Sequence, residues 1–133
     1  MIGLIYFSKN NAAQKLLDSI LNAAKEKHAD IRLIDGNRMT ETDRLTPYQY
    51  LAVFIGDKSF FQKKPDPKTF DILKNHGNLQ GKKGAVFTLQ NGFFSQKFCK
   101  NVMENLEAMG MLLDYFKLIK NTTDASIAGK NIG

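Results

Sequence analysis

Apolar and polar positions follow two different periods along this chain, and the two periods alternate. Runs rich in apolar residues occur at residues 2–7, 31–34, 50–55, 83–89 and 112–119, and the first three are almost uninterrupted. Such runs are typical of strands that are buried on both faces of a parallel sheet. Between them, apolar residues recur every three or four positions, as on the buried face of a helix. The pattern predicts five strands alternating with helices.

The predicted helices begin and end at residues that suit first and last turns. The first helix spans residues 12–27, with Leu17, Ile20 and Ala24 on one apolar stripe. Residues 40–45 are predicted to form a helix, which can only be short because Pro47 prevents its continuation into the third strand. The other helix ends are marked by Pro67 at a first position, Gly77 near an end, Ser95 as an N-cap and Gly110 at a left-handed C-cap.

Right-handed crossovers between these strands predict the strand order 2-1-3-4-5 in a five-stranded parallel sheet. The order reverses between strands 1 and 3, and ligands of such folds bind at that point, beyond the carboxyl ends of the strands. The loops that meet there are residues 8–13, 57–66 and 90–94. A binding site is therefore expected among these three loops.

The segment after the fifth strand is short. Residues 123–130 are long enough for at most two helical turns, so one apolar face of the sheet is expected to lack full helical cover. Self-association through that face, giving a homodimer, is one prediction, because an uncovered apolar face is unusual in a monomer. The alternative is a short terminal helix that lies across the gap.

The length of 133 residues fits a single domain, residues 1–133. No apolar run approaches the ~20 residues that cross a bilayer, and the first residues lack the features of a signal peptide. No membrane association and a cytoplasmic location are expected. The single cysteine, Cys99, cannot form an internal disulfide, and it is interpreted as a small buried residue rather than a reactive thiol.

The chain is basic, with 19 Lys and Arg against 13 Asp and Glu and a net charge of +6. Such a surface attracts acidic partners and anions. Only two residues are arginine, there is no tryptophan, and no nucleic-acid motif is present, so nucleic-acid binding is not expected and the charge is interpreted chiefly as an aid to solubility.

The three loops carry the candidate chemistry. The first strand leads through Ser8-Lys9-Asn10-Asn11-Ala12-Ala13 into a helix. Free backbone N–H donors of residues 10–13 are therefore expected at a helix N-terminus, where anions are stabilised. The other two loops each contain a pair of phenylalanines in a polar context, which suits stacking on a flat ring. The alternative is that these rings fold back onto the core. These loops read Asp57-Lys58-Ser59-Phe60-Phe61 and Gln90-Asn91-Gly92-Phe93-Phe94.

In the order of its elements and in these loops, the chain resembles the flavodoxin family to about residue 120. That family has S/T-x-T-G-N-T after the first strand, where the loop wraps the phosphate of flavin mononucleotide (FMN). Here Ser8 matches, Asn11 replaces the glycine, and Ala13 replaces a threonine. The resemblance implies a flavodoxin-like α/β fold and FMN bound, more weakly than usual, by residues 8–13, 57–61 and 90–94.

The resemblance further implies an electron carrier without side-chain acid–base catalysis, whose lysines 58, 63, 64 and 97 attract an acidic redox partner protein. One alternative is a flavin-free flavodoxin-fold module that uses the same lysines and phenylalanines to bind protein. Another is a receiver domain with Asp57, Thr88 and Lys120, but receivers need carboxylates for Mg²⁺ after the first strand, and this chain has none there.

Overall fold

The computed structural model describes residues 1–133 as a five-stranded parallel sheet with strand order β2-β1-β3-β4-β5. This confirms the predicted fold class and strand order. The strands are β1 (Ile2–Phe7), β2 (Arg32–Asp35), β3 (Tyr50–Ile55), β4 (Lys83–Leu89) and β5 (Leu112–Ile119). The helices are α1 (Asn11–Lys25), α2 (Pro67–Asn75), α3 (Ser95–Ala108) and α4 (Thr122–Lys130).

The sheet lies between two layers of helices, because alternate residues of each strand point to opposite faces. On one face, Leu4 and Phe54 pack with Ile20 of α1 and Ala125 of α4. On the other face lies a second apolar core, which includes side chains of β1 and β3 and of helices α2 and α3. All six residues of β3 are buried, which explains why its run is continuously apolar. No helix is both long enough and apolar enough to cross a membrane.

Helix α4 packs directly against α1 and covers the sheet face that was expected to lack full helical cover. Gly129 allows this close approach, since a Cβ at that position would lie 2.2 Å from the carbonyl oxygen of Ile20. Ala128 and Ile132 are also buried in the same core. The alternative of a short covering helix is therefore confirmed. Self-association stays a prediction, but this face no longer gives a reason for it.

Three local predictions have different outcomes. Residues 40–45 contain a turn rather than a helix. The helical turn of this segment occurs earlier, at Gly36–Arg38. There the Asp35 carboxylate accepts a hydrogen bond from the Asn37 N–H at 3.0 Å. Gly110 has a φ of 91°, which confirms its left-handed position. Ser95 is not an N-cap: it is the first residue of α3, and the preceding residue, with a φ of 66°, occupies the cap position.

Candidate functional site

The three predicted loops meet at the carboxyl edge of the sheet. A groove of about 540 Å³ runs between the β1–α1 loop and the β3–α2 loop and is lined by polar side chains, among them Lys9, Asn10, Asp57 and Lys68. The β4–α3 loop reaches this groove through Asn91. The sequence thus correctly identified which segments come together.

The β1–α1 loop uses most of its own hydrogen-bond donors. The side chain of Asn10 caps α1 by accepting from the Ala12 N–H at 2.9 Å, and the Asn10 carbonyl accepts from the Ala13 N–H at 3.2 Å. The Asn10 N–H itself donates to Ser8 Oγ at 3.3 Å. The expectation of free donors from Asn10 to Ala13 is therefore wrong for three of the four groups, and the Asn11 N–H is the exception.

A carboxylate of the protein lies against the same loop. Both carboxylate oxygens of Asp57 accept from the Lys9 N–H, each at 3.1 Å. Asp57 follows Gly56, where a Cβ would lie 2.9 Å from the Cβ of Ser8, so the two loops can approach only because this residue is glycine. The position expected for an external anion is thus next to an internal one.

Lys58 ties the β3–α2 loop to the β4–α3 loop. Its side chain is buried, and its Nζ donates to the carbonyl oxygens of Ser59, Asn91 and Phe93, each at 3.0 Å. The Asn91 side-chain amide donates a hydrogen bond to the Lys58 carbonyl at 2.9 Å. Burial lowers the pKa of Lys58. Lys58 therefore positions loops and does not belong to an exposed basic rim.

The backbones of these two loops also touch. The Phe93 N–H donates to the Phe60 carbonyl at 2.8 Å. Gly92, with a φ of 60°, makes this possible, because a Cβ there would lie 2.3 Å from the same oxygen. Ser95 completes the arrangement by donating from Oγ to the Asn91 carbonyl at 2.8 Å and accepting from the Asn91 N–H. The two loops form one unit.

Four exposed phenylalanines cover this unit and are called the phenylalanine cluster: Phe60, Phe61, Phe93 and Phe94. Their exposed fractions lie between 42% and 65%. The rings of Phe61 and Phe93 are stacked, with centroids 5.4 Å apart and planes 17° apart, and Phe60 meets both of them edge-on. The alternative that these rings fold back onto the core is wrong, because they pack on one another at the surface.

Exposed lysines follow the phenylalanine pairs along the chain, and Lys63, Lys64 and Lys97 are called the lysine rim. The Nζ of Lys63 lies 4.4 Å from the centre of the Phe94 ring, a cation–π contact. The Lys63 carbonyl accepts from the Asn101 side chain at 2.7 Å, which fixes the β3–α2 loop to α3. No lysine of the rim forms an ion pair with a carboxylate.

The remaining predicted residues have structural roles. The Ser59 N–H donates to the Gln62 side chain at 3.0 Å, and the Gln90 N–H donates to the Ile119 carbonyl at 2.9 Å. The roles of Gln62 and Asn101 could not be predicted from the sequence, because polar residues in loops and on helices are usually solvated. Thr88, which a receiver domain would need at the surface, is fully buried. No three His, Cys, Asp or Glu side chains are grouped to bind a metal ion.

Comparison with solved structures identifies the class of fold. The chain is similar to a flavodoxin from the domain Archaea (TM-score 0.76, 21% identity, 99% of this chain and 96% of that chain). It is similar to the two-electron reduced Megasphaera elsdenii flavodoxin (TM-score 0.76, 16% identity, 98% and 96%) and to Flavodoxin 1 from Bacillus cereus (TM-score 0.71, 18% identity, 96% and 93%). No protein-family model and no curated protein sequence matches the chain.

These similarities show that the chain has a flavodoxin-like fold along its whole length. The arrangement of the loops does not fit FMN. A phosphate beside the Lys9 N–H would meet the carboxylate of Asp57. A flavin ring that stacks between two loops needs them about 7 Å apart, because carbon atoms pack at about 3.5 Å on each side of the ring. Here the backbones of the β3–α2 and β4–α3 loops are hydrogen-bonded to each other at Phe60 and Phe93.

Proposed function

We propose that this protein is a flavin-free module of flavodoxin-like fold that binds a protein partner through the phenylalanine cluster and the lysine rim. The observation that carries the proposal is the exposure of four neighbouring aromatic rings, three of them packed on one another, on loops that are held together by Lys58 and Gly92. Because the two loops are already held together, little conformational entropy is lost in ordering them when a partner binds.

The phenylalanines of this surface are of a residue type that is enriched at protein interfaces. Aromatic side chains supply large apolar contact areas, and their burial dominates the energy of many interfaces. Contiguous apolar patches on a monomer commonly mark interaction sites. The cluster also has an internal order, because Phe61 and Phe93 present parallel rings rather than flexible aliphatic chains.

The chemistry of the partner follows from the charge around the cluster. The lysine rim has no carboxylate partner within the chain, and the protein carries a net charge of +6. An acidic protein surface with an apolar centre complements this arrangement, and the charges steer its approach. Binding to such a partner weakens as ionic strength rises, because the rim lysines are exposed and their charges are screened.

A second candidate function is that of an FMN-binding electron carrier. It is favoured by the similarity to flavodoxins along the whole chain and by the presence of aromatic rings on both loops that hold the flavin ring in that family. For FMN to bind, the carboxylate of Asp57 has to leave the Lys9 N–H and the contact between Phe60 and Phe93 has to open. The lysine rim then serves an acidic redox partner.

Two measurements separate these functions. The first is titration of the protein into FMN while flavin fluorescence is followed; the proposal expects no saturable quenching up to about 0.1 mM, a limit near 5.4 kcal/mol of binding energy. Saturable quenching that is lost in the Phe93→Ala, Phe94→Ala variant supports the electron carrier instead.

The second measurement is the capture of partners from a cell extract by chemical cross-linking, followed by titration of each purified candidate. The Phe61→Ser, Phe93→Ser variant is expected to lose binding. Phe116→Ser is the matched control, because Phe116 is exposed to a similar extent, 54%, but lies on β5. Equal binding by both variants contradicts the proposal.

A further inference from the structure

We infer that Asp57 is a specificity-determining residue that excludes phosphate groups from the β1–α1 loop by placing the protein's own carboxylate there. The inference does not depend on the phenylalanine cluster, because it concerns a different part of the carboxyl edge. It explains why a fold that resembles phosphate-binding flavodoxins has a loop arrangement that does not fit FMN.

The geometry of the contact supports an anion in this place. Both oxygens of Asp57 lie 3.1 Å from the Lys9 nitrogen, so the N–H points between them, as it would toward two oxygens of a phosphate. Lys9 directly precedes Asn10, the N-cap of α1. The first turn of α1 contains no acidic residue, so Asp57, 48 positions away along the chain, supplies the negative charge that a helix N-terminus favours.

The charges near Asp57 favour the same assignment. Asp57 forms no ion pair with a lysine or arginine, so no side-chain cation neutralises its charge. Its carboxylate accepts instead from the Lys9 N–H. A phosphate dianion at this position would lie within contact distance of an unpaired carboxylate, and like charges so placed are strongly unfavourable. The carboxylate therefore acts against phosphate in two ways: it occupies the donor, and it repels the charge.

The two effects can be separated by two substitutions. Asp57→Asn removes the charge but keeps an oxygen that can accept from the Lys9 N–H, whereas Asp57→Ala removes both. Asp66→Asn is the matched control, because it removes the same charge from the same loop. Asp66 caps α2 by accepting from the Lys68 N–H at 3.0 Å, and asparagine caps equally well.

The experiment is a titration of each isotope-labelled protein with inorganic phosphate at constant ionic strength, in which the amide signals of Lys9 and Asn11 are followed by NMR. Relative to the unaltered protein, Asp57→Ala is expected to bind phosphate about tenfold or more tightly, Asp57→Asn by an intermediate factor, and Asp66→Asn within about twofold. The same spectra verify that each variant is folded.

Phosphate affinity unchanged in both Asp57 variants would overturn the inference. An equal gain in Asp66→Asn would also overturn it, because Asp66 lines the same groove and the effect would then belong to the charge of the groove and not to the contact with Lys9. None of these results depends on whether a protein partner binds the phenylalanine cluster.

Discussion

The Nζ of Lys58 lies 3.0 Å from the carbonyl oxygen of Phe93, a residue 35 positions further along the chain. The same ammonium group reaches the carbonyls of Ser59 and Asn91, and no carboxylate is paired with it. Three carbonyl dipoles thus stabilise one buried charge. This contact links the loops that follow β3 and β4, which carry the phenylalanine cluster.

Replacing Lys58 by methionine is expected to loosen this unit. Methionine fills a similar volume but removes all three hydrogen bonds and leaves the Phe93 carbonyl oxygen without a donor, and the expected loss of stability is about 2 kcal/mol. Lys64→Met, at an exposed lysine of the same loop, is expected to change stability by less than about 0.5 kcal/mol. Urea unfolding measures both values, and equal stability of the two variants contradicts the role given to Lys58.

Replacing Gly92 by alanine is expected to separate the two loops. The added Cβ would lie 2.3 Å from the Phe60 carbonyl oxygen, and the φ of 60° adds strain. Gly81→Ala isolates the strain, because Gly81 has a φ of 81° and no neighbouring atom within 4 Å of its Cβ position. We expect Gly81→Ala to cost about 1 kcal/mol and Gly92→Ala clearly more, with loss of the NMR contacts between Phe61 and Phe93. Equal costs and retained contacts would mean that no clash occurs.

The raised pKa of Tyr50 predicts that the folded protein becomes less stable in alkaline solution. Burial, followed by the hydrogen bond that its hydroxyl donates to Asp114 at 2.9 Å, raises the pKa of Tyr50. Above the ordinary tyrosine pKa of about 10 the unfolded chain releases this proton while the folded protein keeps it, so stability falls as pH rises, by up to ~1.4 kcal/mol per pH unit. Burial also raises the pKa of Tyr6 and Tyr115, in the same direction.

The contribution of Tyr50 is measured by comparison with Tyr50→Phe. Unfolding curves recorded on either side of pH ~10 are expected to show a steeper decline for the unaltered protein than for the variant. Burial lowers the pKa of Lys58 and Lys82, which makes stability rise with pH below about 10.4, but this effect is common to both proteins and cancels. Parallel curves would mean that Tyr50 titrates equally in both states.

Cys99 is expected to be chemically inert in the folded protein. The residue is buried, and burial raises the pKa of its thiol, so both access and the thiolate fraction are low at neutral pH. Ellman's reagent is expected to modify the thiol only as the protein unfolds, with one equivalent released in denaturant. Rapid reaction of the native protein would contradict the interpretation of Cys99 as a core residue.

The fold could be predicted from the sequence because its signals are local and redundant. The apolar runs of β1 and β3 are matched by the burial of most of β1 and all of β3, and the observed strand order is one of those that right-handed crossovers allow. The glycine at position 110 is likewise informative, since its left-handed backbone follows from its place after a helix.

The details of the site could not be predicted because they depend on contacts between distant segments. A lysine in a polar loop after a strand is typically exposed, yet Lys58 is buried, and two of its three acceptors lie 33 and 35 residues away. Similarly, nothing near Asp57 in the sequence indicates that its carboxylate meets the Lys9 N–H. The sequence identified the loops but not which of their donors are already used.

The packing of α4 on α1 has a consequence for the newly made chain. The Lys27 side chain donates to the Lys130 carbonyl across 103 positions, and the core beneath them joins the first helix to the last. While a ribosome is still synthesising the residues between them, the apolar stripe of α1 has no cover on that side. Contacts this far apart in sequence form late, so the nascent domain exposes this stripe until α4 emerges, and molecular chaperones would meet it there.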